Sequence, residues 1–474
     1  MTRLRVAISA LAFTVAAGTT QADSLQDIYE LALENDAQLK AEQAEYLANL
    51  EQEKLSRSAL LPQLNANYDY QDSENKTSQV SRDFTSPTLP QITTRQELDT
   101  DREGYTISLN QAIFDLPAWF SFQSGKEFTK QAEATFAANQ QNLIVRVVEA
   151  YLEVLRAQDN LTATKAQERA FERQLEQTQQ RFEVGLIAIT DVYESQAAYD
   201  LAVVNRIVDE NNVSVALENL SVLTGRSHSN LNVLVEDFDI KLPEPMDRAS
   251  WVDFALENNF NLQAARFAEE SARQNAKANE MEHLPRISGG YSYQDYDVDG
   301  ELLRNPETGL EVPPESTSRD NILQFRLDVP IYSGGAVSAN RRRTAQEFNA
   351  ARENRINLTR NTVTNTRSLH MTVISDVSRV AARGQSIVSS SSALDATQAG
   401  YEVGTRNVVD VLNAQNTLFS AERDYSNSRY DYIINLLRLK EQAGLLSPDD
   451  VYALDAYLEV PPAPTASGEA AARE

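Results

Sequence analysis

Two long stretches of this 474-residue chain contain no proline, 118–242 and 331–447. Proline lacks a backbone donor and its ring clashes with the preceding helical turn, so it is strongly excluded from helix interiors. Each window exceeds 100 residues and is free to be helical. Gly185 and Gly404 interrupt the windows, and a stop at glycine followed by a restart is the simplest reading. Thr190 or Asp191 is a candidate cap for the restart in the first window. From Ala118 to Val184 a continuous helix would be about 100 Å long, roughly three bilayer cores. Within it Ile144, Val148, Leu152 and Leu155 make one apolar stripe. Helices this long, each with one stripe, read as coiled-coil partners rather than parts of a compact globule.

The chain is a duplication. Ala32-Leu33-Glu34-Asn35 recurs as Ala255-Leu256-Glu257-Asn258, an offset of 223, which also relates Leu39 to Leu262, Leu61-Pro62 to Leu284-Pro285 and Tyr70-Gln71-Asp72 to Tyr293-Gln294-Asp295. Glu183-Val184-Gly185 recurs as Glu402-Val403-Gly404, an offset of 219, which also relates Asp191-Val192 to Asp410-Val411 and Gly225 to Gly444. Chance matches do not keep one register at both ends of a unit. Each half is expected to run helix, strand, strand, long helix, shorter helix. This gives a first structural repeat over 23–225, a linker over 226–250, a second repeat over 251–444 and a C-terminal part over 445–474.

The expected strands are amphipathic. Leu64, Ala66, Tyr68 and Tyr70 alternate with Asn65, Asn67, Asp69 and Gln71, and Tyr105, Ile107 and Leu109 with Thr106, Ser108 and Asn110. Ile287, Tyr291 and Tyr293, and then Leu323, Phe325, Leu327 and Val329, repeat the pattern in the second half. Strands of about ten residues suit a tilted membrane strand. Long polar segments, Ser73 to Arg102 and Tyr296 to Asp320, would be outer loops. Phe114, Trp119, Phe120 and Phe122 cluster as an interfacial aromatic girdle would, although core packing reads the same. A soluble sandwich with one wet face remains the alternative for any strand alone. Four strands cannot close a barrel, and an open edge cannot face lipid. The chain must then oligomerise, with a number of copies that the pattern leaves open.

Composition excludes several chemistries. There is no cysteine, and His228, His283 and His370 have no metal-ligand spacing, so neither a metal site nor a cofactor is expected. No Gly-rich phosphate loop and no nucleophile elbow occurs, so no enzyme is expected. With 43 basic and 69 acidic residues the net charge is −26, which argues against a nucleic-acid partner. Met1 to Ala22 has the basic start, short apolar core and small-residue end of a signal peptide. Its removal takes away two arginines and no acid, leaving −28.

Long motifs then carry a family resemblance over essentially the whole mature length. Leu61-Pro62-Gln63-Leu64 and Leu284-Pro285 lead into strands, and Gln111-Ala112-Ile113-Phe114-Asp115 and Val329-Pro330-Ile331-Tyr332-Ser333-Gly334-Gly335 lead out of them. Arg181-Phe182-Glu183-Val184-Gly185-Leu186 with Ala188-Ile189-Thr190-Asp191-Val192 is one turn, and Ala399-Gly400-Tyr401-Glu402-Val403-Gly404-Thr405-Arg406 with Val409-Asp410-Val411-Leu412 is the other. The chain resembles the TolC-type outer-membrane efflux proteins. The resemblance implies an α+β membrane protein in which a homotrimer forms a transmembrane β-barrel of twelve strands, four per chain. A periplasmic α-helical coiled-coil barrel would continue it, with an equatorial belt drawn from residues 226–250 and from the part after Gly444. It implies an exit duct for drugs, toxins or proteins in the outer membrane, contacting its lipid. The duct would dock a periplasmic adaptor and an inner-membrane pump of RND, ABC or MFS type. The competing reading, a soluble periplasmic scaffold or adaptor, has no need of lipid-length strands.

The resemblance also assigns a gate. Tyr401 and Arg406 would bond to Thr190 and Asp191 and hold the inner coiled coil shut, whereas a plain helix cap is the alternative role for Asp191. Asp410 would ring the constriction. Asn413 stands where the best-known member has a second aspartate, so three inward carboxylates would replace six and cation block would weaken. Arg341-Arg342-Arg343 follows the fourth strand, either facing lipid phosphate or as a solvated helix face. The tail after Val460 has a disorder-like composition and is assigned no role.

Overall fold

The computed structural model describes residues 22–82, 85, 87–88, 90–303 and 315–461. The signal-peptide expectation and the tail lie outside them, apart from Ala22 and Pro461. In chain order the elements are α1 (Leu25–Asn35), α2 (Ala37–Ser58), β1 (Gln63–Arg82), β2 (Gln91–Phe114), α3 (Leu116–Glu183), α4 (Ile189–Thr224), β3 (Val233–Leu234), α5 (Arg248–Asn258) and α6 (Phe260–Glu280). After a single 3₁₀ turn come β4 (Arg286–Leu303), β5 (Ser316–Asp328), α7 (Ala336–Glu402), α8 (Val408–Gln442), α9 (Pro448–Asp455) and β6 (Leu458–Glu459). The proline-free windows are the pairs α3–α4 and α7–α8. Among the described residues, no helix is long and apolar enough to cross a membrane.

The expected single opening helix of each repeat is two helices. The break falls at Asp36 and, in the second repeat, at Asn259. Asp36 Oδ1 accepts the Leu39 N–H at 2.9 Å, and Asn259 Oδ1 accepts the Leu262 N–H at the same distance. Each residue thus ends one helix and caps the next, and Leu39 and Leu262 are buried behind it. The matched Leu pair in the sequence repeat has this physical origin.

The chain forms two compact units. The first contains residues 46–134 and 263–357 and carries a four-stranded sheet of order β1-β2-β4-β5, antiparallel throughout. The strands are longer than the ten residues expected: 20, 24, 18 and 13. Most of the expected polar loop from Ser73 to Arg102 is a continued hairpin, with Ser73 opposite Thr100 and Arg82 opposite Gln91. Backbone pairing continues there without an apolar face, which is why hydrophobic alternation ends before the strands do.

The register sorts the sheet into two faces, because side chains alternate along each strand. On one face Leu64, Leu109, Tyr291 and Leu323 form a row, followed by Ala66, Ile107, Tyr293 and Asn321. Phe325 and Leu327 extend the apolar band at one end. At the other, Tyr68 and Tyr105 precede a row of Asp72, Asp101 and Asp299. Apolar side chains on this face stand exposed, Leu323 at 69%. The opposite face carries Asn65, Ser108, Ser292 and Ile322, then Asn67, Thr106, Gln294 and Asp320. Beside the sheet, Trp119 and Phe122 of the expected girdle pack with ring centroids 5.9 Å apart. Arg341 pairs with Glu280 at 3.4 Å and Arg343 with Glu347 at 2.7 Å.

The described residues of the second unit lie within 22–45, 135–262 and 358–461. Its core gathers Leu25 and Ile28 of α1, Leu143, Val147, Tyr151 and Leu155 of α3, Leu220 of α4 and Leu439 of α8. The short strands β3 and β6 pair antiparallel, so segments before α5 and after α9 meet. His228, enclosed, lies 2.7 Å from both Asp23 and the Thr224 hydroxyl. That hydroxyl is itself buried, so the arrangement pins the linker rather than meeting a substrate. The Tyr430 hydroxyl donates to Asp159 at 2.7 Å. Burial pushes the Asp159 carboxyl above its ordinary value. The ionised form is therefore disfavoured by folding: stability is full below the ordinary carboxylate pKa and falls as pH rises through the raised one. Asp159→Asn is expected to raise the thermal midpoint at neutral pH, with the gain vanishing as pH falls below the ordinary carboxylate range. A midpoint difference that does not change with pH contradicts this.

Candidate functional site

The two helical turns end α3 and α7 in the same way. At the first, the Leu186 N–H reaches Arg181 O at 2.8 Å and the Gly185 N–H reaches Phe182 O at 2.8 Å. At the second, the Thr405 N–H reaches Gly400 O at 2.8 Å and the Gly404 N–H reaches Tyr401 O at 3.1 Å. This double bond pattern needs a left-handed residue, and Gly185 and Gly404 sit at φ 77° and 80°.

The restarts differ. Asn407 caps α8: its side chain accepts the Asp410 N–H at 2.8 Å, and Asp410 accepts the Asn407 N–H at 3.3 Å. The matching position before α4 is Ala188, which has no side-chain oxygen to offer. Neither Thr190 nor Asp191 is the cap; both lie in the first turn, where a carboxylate is favoured by the helix dipole. The contact of the Asp191 carboxylate among the described residues is the Thr190 hydroxyl, at 3.4 Å. Asp191 is half-exposed and open to further partners.

Within this single chain, Tyr401 and Arg406 make no hydrogen bond to Thr190 or Asp191 among the described residues. Arg406 lies 3.8 Å from Asp410, one turn along α8. Tyr401 is buried among Phe171, Ala202, Val408, Val411 and Leu412. Its hydroxyl is enclosed without a partner among the described residues. Asn413 is exposed, and its carbonyl accepts the Thr417 hydroxyl at 2.8 Å.

Sequence reasoning passed over two residues here. The Arg181 guanidinium stands 4.7 Å from the Tyr401 ring centroid. Gly400 lets Arg406 pack closely: a Cβ there would lie 2.8 Å from Arg406 Cγ. Both residues belong to the turn motifs, but no local signal says that Arg181 meets a residue 220 positions away. The turns also expose apolar side chains, Val184, Leu186 at 68% and Val403 at 76%. Among the described residues, no group of three or more His, Asp or Glu could hold a metal ion.

Comparison with known proteins agrees with this architecture. The sequence model of the outer membrane efflux protein family matches residues 28–226 and 251–445, one segment per repeat. The chain is similar to the outer membrane protein TolC of Vibrio cholerae, 35% identical over 93% of this chain and 94% of that protein. It is also similar to the alkaline protease secretion protein AprF of Pseudomonas aeruginosa, 30% identical over 95% of this chain and 89% of that one. Among solved structures, the CmeC outer membrane channel of Campylobacter jejuni shares the fold at a TM-score of 0.72 and 14% identity, covering 97% of this chain and 98% of that one. With its duplicated helices, paired amphipathic strands and matched glycine turns, the chain belongs to the outer membrane efflux protein family, as a TolC-type member.

Proposed function

We propose that three copies of this chain close one barrel and one helical tunnel, forming the exit duct of a tripartite efflux or type I secretion machine in the outer membrane. The observation that carries this reading is the sheet: its edges, β1 and β5, are unpaired among the described residues, while one face is apolar and exposed. Unpaired backbone cannot face hydrocarbon, and four strands are too few for a barrel. Three chains, the number the family resemblance implies, supply twelve strands. A second exposed stripe supports assembly as well. Leu201, Val204, Val208, Val215 and Val222 of α4 recur every three to seven residues on one helix and are all exposed. Contact with a neighbouring copy would cover them.

The path is lined by the polar face of the sheet, and a net charge of −28 per mature chain favours cations along it. Passage of drugs, toxins or proteins is driven by a partner pump, and the duct itself catalyses nothing. The name of the AprF relative supports protein export as one such use. Purified protein in planar bilayers is expected to form cation-preferring channels; silent bilayers, or anion preference, would contradict the reading.

The gate belongs to the same proposal. Thr190 and Asp191 offer groups that a neighbouring copy can reach, and Arg406 can exchange the long contact to Asp410 for a shorter one to Asp191. Asp410 and Asn413 are then the constriction residues, with three carboxylates in the ring. The apolar tips Val184, Leu186 and Val403 suit end-on docking of a periplasmic adaptor. Leu186→Asp with Val403→Asp is expected to abolish efflux in cells without changing the amount of assembled protein or its bilayer conductance. Full efflux by that variant would remove the turns from the docking surface.

A further inference from the structure

We infer that Arg181 is a positioning residue of the gate, holding Tyr401 from across the two turns and so holding the two helical pairs together. The inference rests on the gate proposed above. Three observations carry it. First, the guanidinium of Arg181 lies over the Tyr401 ring, 4.7 Å from its centroid, within the range where an arginine is attracted to the aromatic face. Second, Arg181 is half-buried and takes part in no ion pair among the described residues, so the ring is the partner the structure gives its charge. Third, Tyr401 is 5% exposed and its hydroxyl has no hydrogen-bond partner among the described residues. The ring is therefore held by packing and by the cation, not through its hydroxyl.

Arg181 is anchored at both ends. Its carbonyl accepts the Leu186 N–H and closes the α3–α4 turn, while its side chain reaches the last turn of α7. The duplication makes the pair asymmetric. Position 181 corresponds to Gly400, and position 182 to Tyr401. The first repeat contributes the cation and the second the buried ring, whereas Phe182, the counterpart of Tyr401, is exposed. One contact thus ties the first-half turn to the second. Any opening that separates α7 and α8 from α3 and α4 must break it.

The test uses the purified assembly in planar bilayers. Arg181→Gln keeps a long helix-forming side chain and removes the charge. It is expected to raise mean conductance roughly two- to fivefold, the scale of one such contact, with the thermal stability of the assembly unchanged. Tyr401→Phe keeps the ring and removes the hydroxyl, and is expected to raise conductance less than Tyr401→Leu does. Tyr401→Leu is expected to raise it, and Arg181→Gln added to Tyr401→Leu is expected to add nothing. Loss of a charge at a helix end, without the ring contact, would give additive effects and overturn the inference. Asp191→Ala with Arg406→Ala is run alongside. If that pair opens the channel and Arg181→Gln does not, the Arg181 role is wrong and the gate stands. If neither opens it, the gate reading fails and takes the Arg181 role with it.

Discussion

Leu323→Arg is expected to keep this protein out of the outer membrane. Leu323 sits mid-band on the apolar face of the sheet, in the row with Leu64, Leu109 and Tyr291. A charged side chain facing lipid at mid-depth costs about 2–4 kcal/mol. Three copies in one barrel would carry that penalty three times. The control is its neighbour. Ile322 shares the polar face with Asn65, Ser108 and Ser292, so Ile322→Arg places the same charge one residue away on the face proposed to line the lumen and is expected to be tolerated. The measurement is the amount of each variant in the outer-membrane fraction and its oligomer on an unheated denaturing gel. Equal losses for both would mean that the two faces have been assigned wrongly.

Asp191→Ala with Arg406→Ala is the second large effect expected. A charge-assisted hydrogen bond contributes about 1.5–3 kcal/mol when its geometry is fixed. Lost in every copy, it should shift the closed–open balance about tenfold or more and raise single-channel conductance. Asn413→Asp is the complementary change, since it would restore a second carboxylate per chain at the constriction and strengthen block by multivalent cations. Unchanged conductance in the double variant would remove Asp191 and Arg406 from the gate.

How legible these features were depended on the range of the interactions behind them. The long helices could be read directly, because proline exclusion acts at every position. The first was expected from Ala118 and begins at Leu116. The glycine turns were legible because a left-handed residue leaves a local mark. The strands were found, yet their lengths were not. Hydrophobic alternation marks only the part that needs an apolar face, and pairing continues past Tyr70 and Tyr105 through Ser, Thr and charged residues. The helix breaks at Asp36 and Asn259 fall inside the matched Asn35–Leu39 and Asn258–Leu262 stretches without a mark of their own, because an Asp or Asn caps a helix only where the preceding turn ends. The expected cap at Thr190 or Asp191 fell on Ala188, a residue without a capping side chain. Arg181 and Tyr401 were in view as parts of motifs, but their contact exists only once both helix pairs are folded.

The most direct test of the account is the mass of the native assembly. Protein extracted from the outer membrane in mild detergent, and weighed by native mass spectrometry, should contain three mature chains. A monomer in the membrane extract, or protein found only in the soluble fraction, would contradict the claim that each chain is one third of a closed duct.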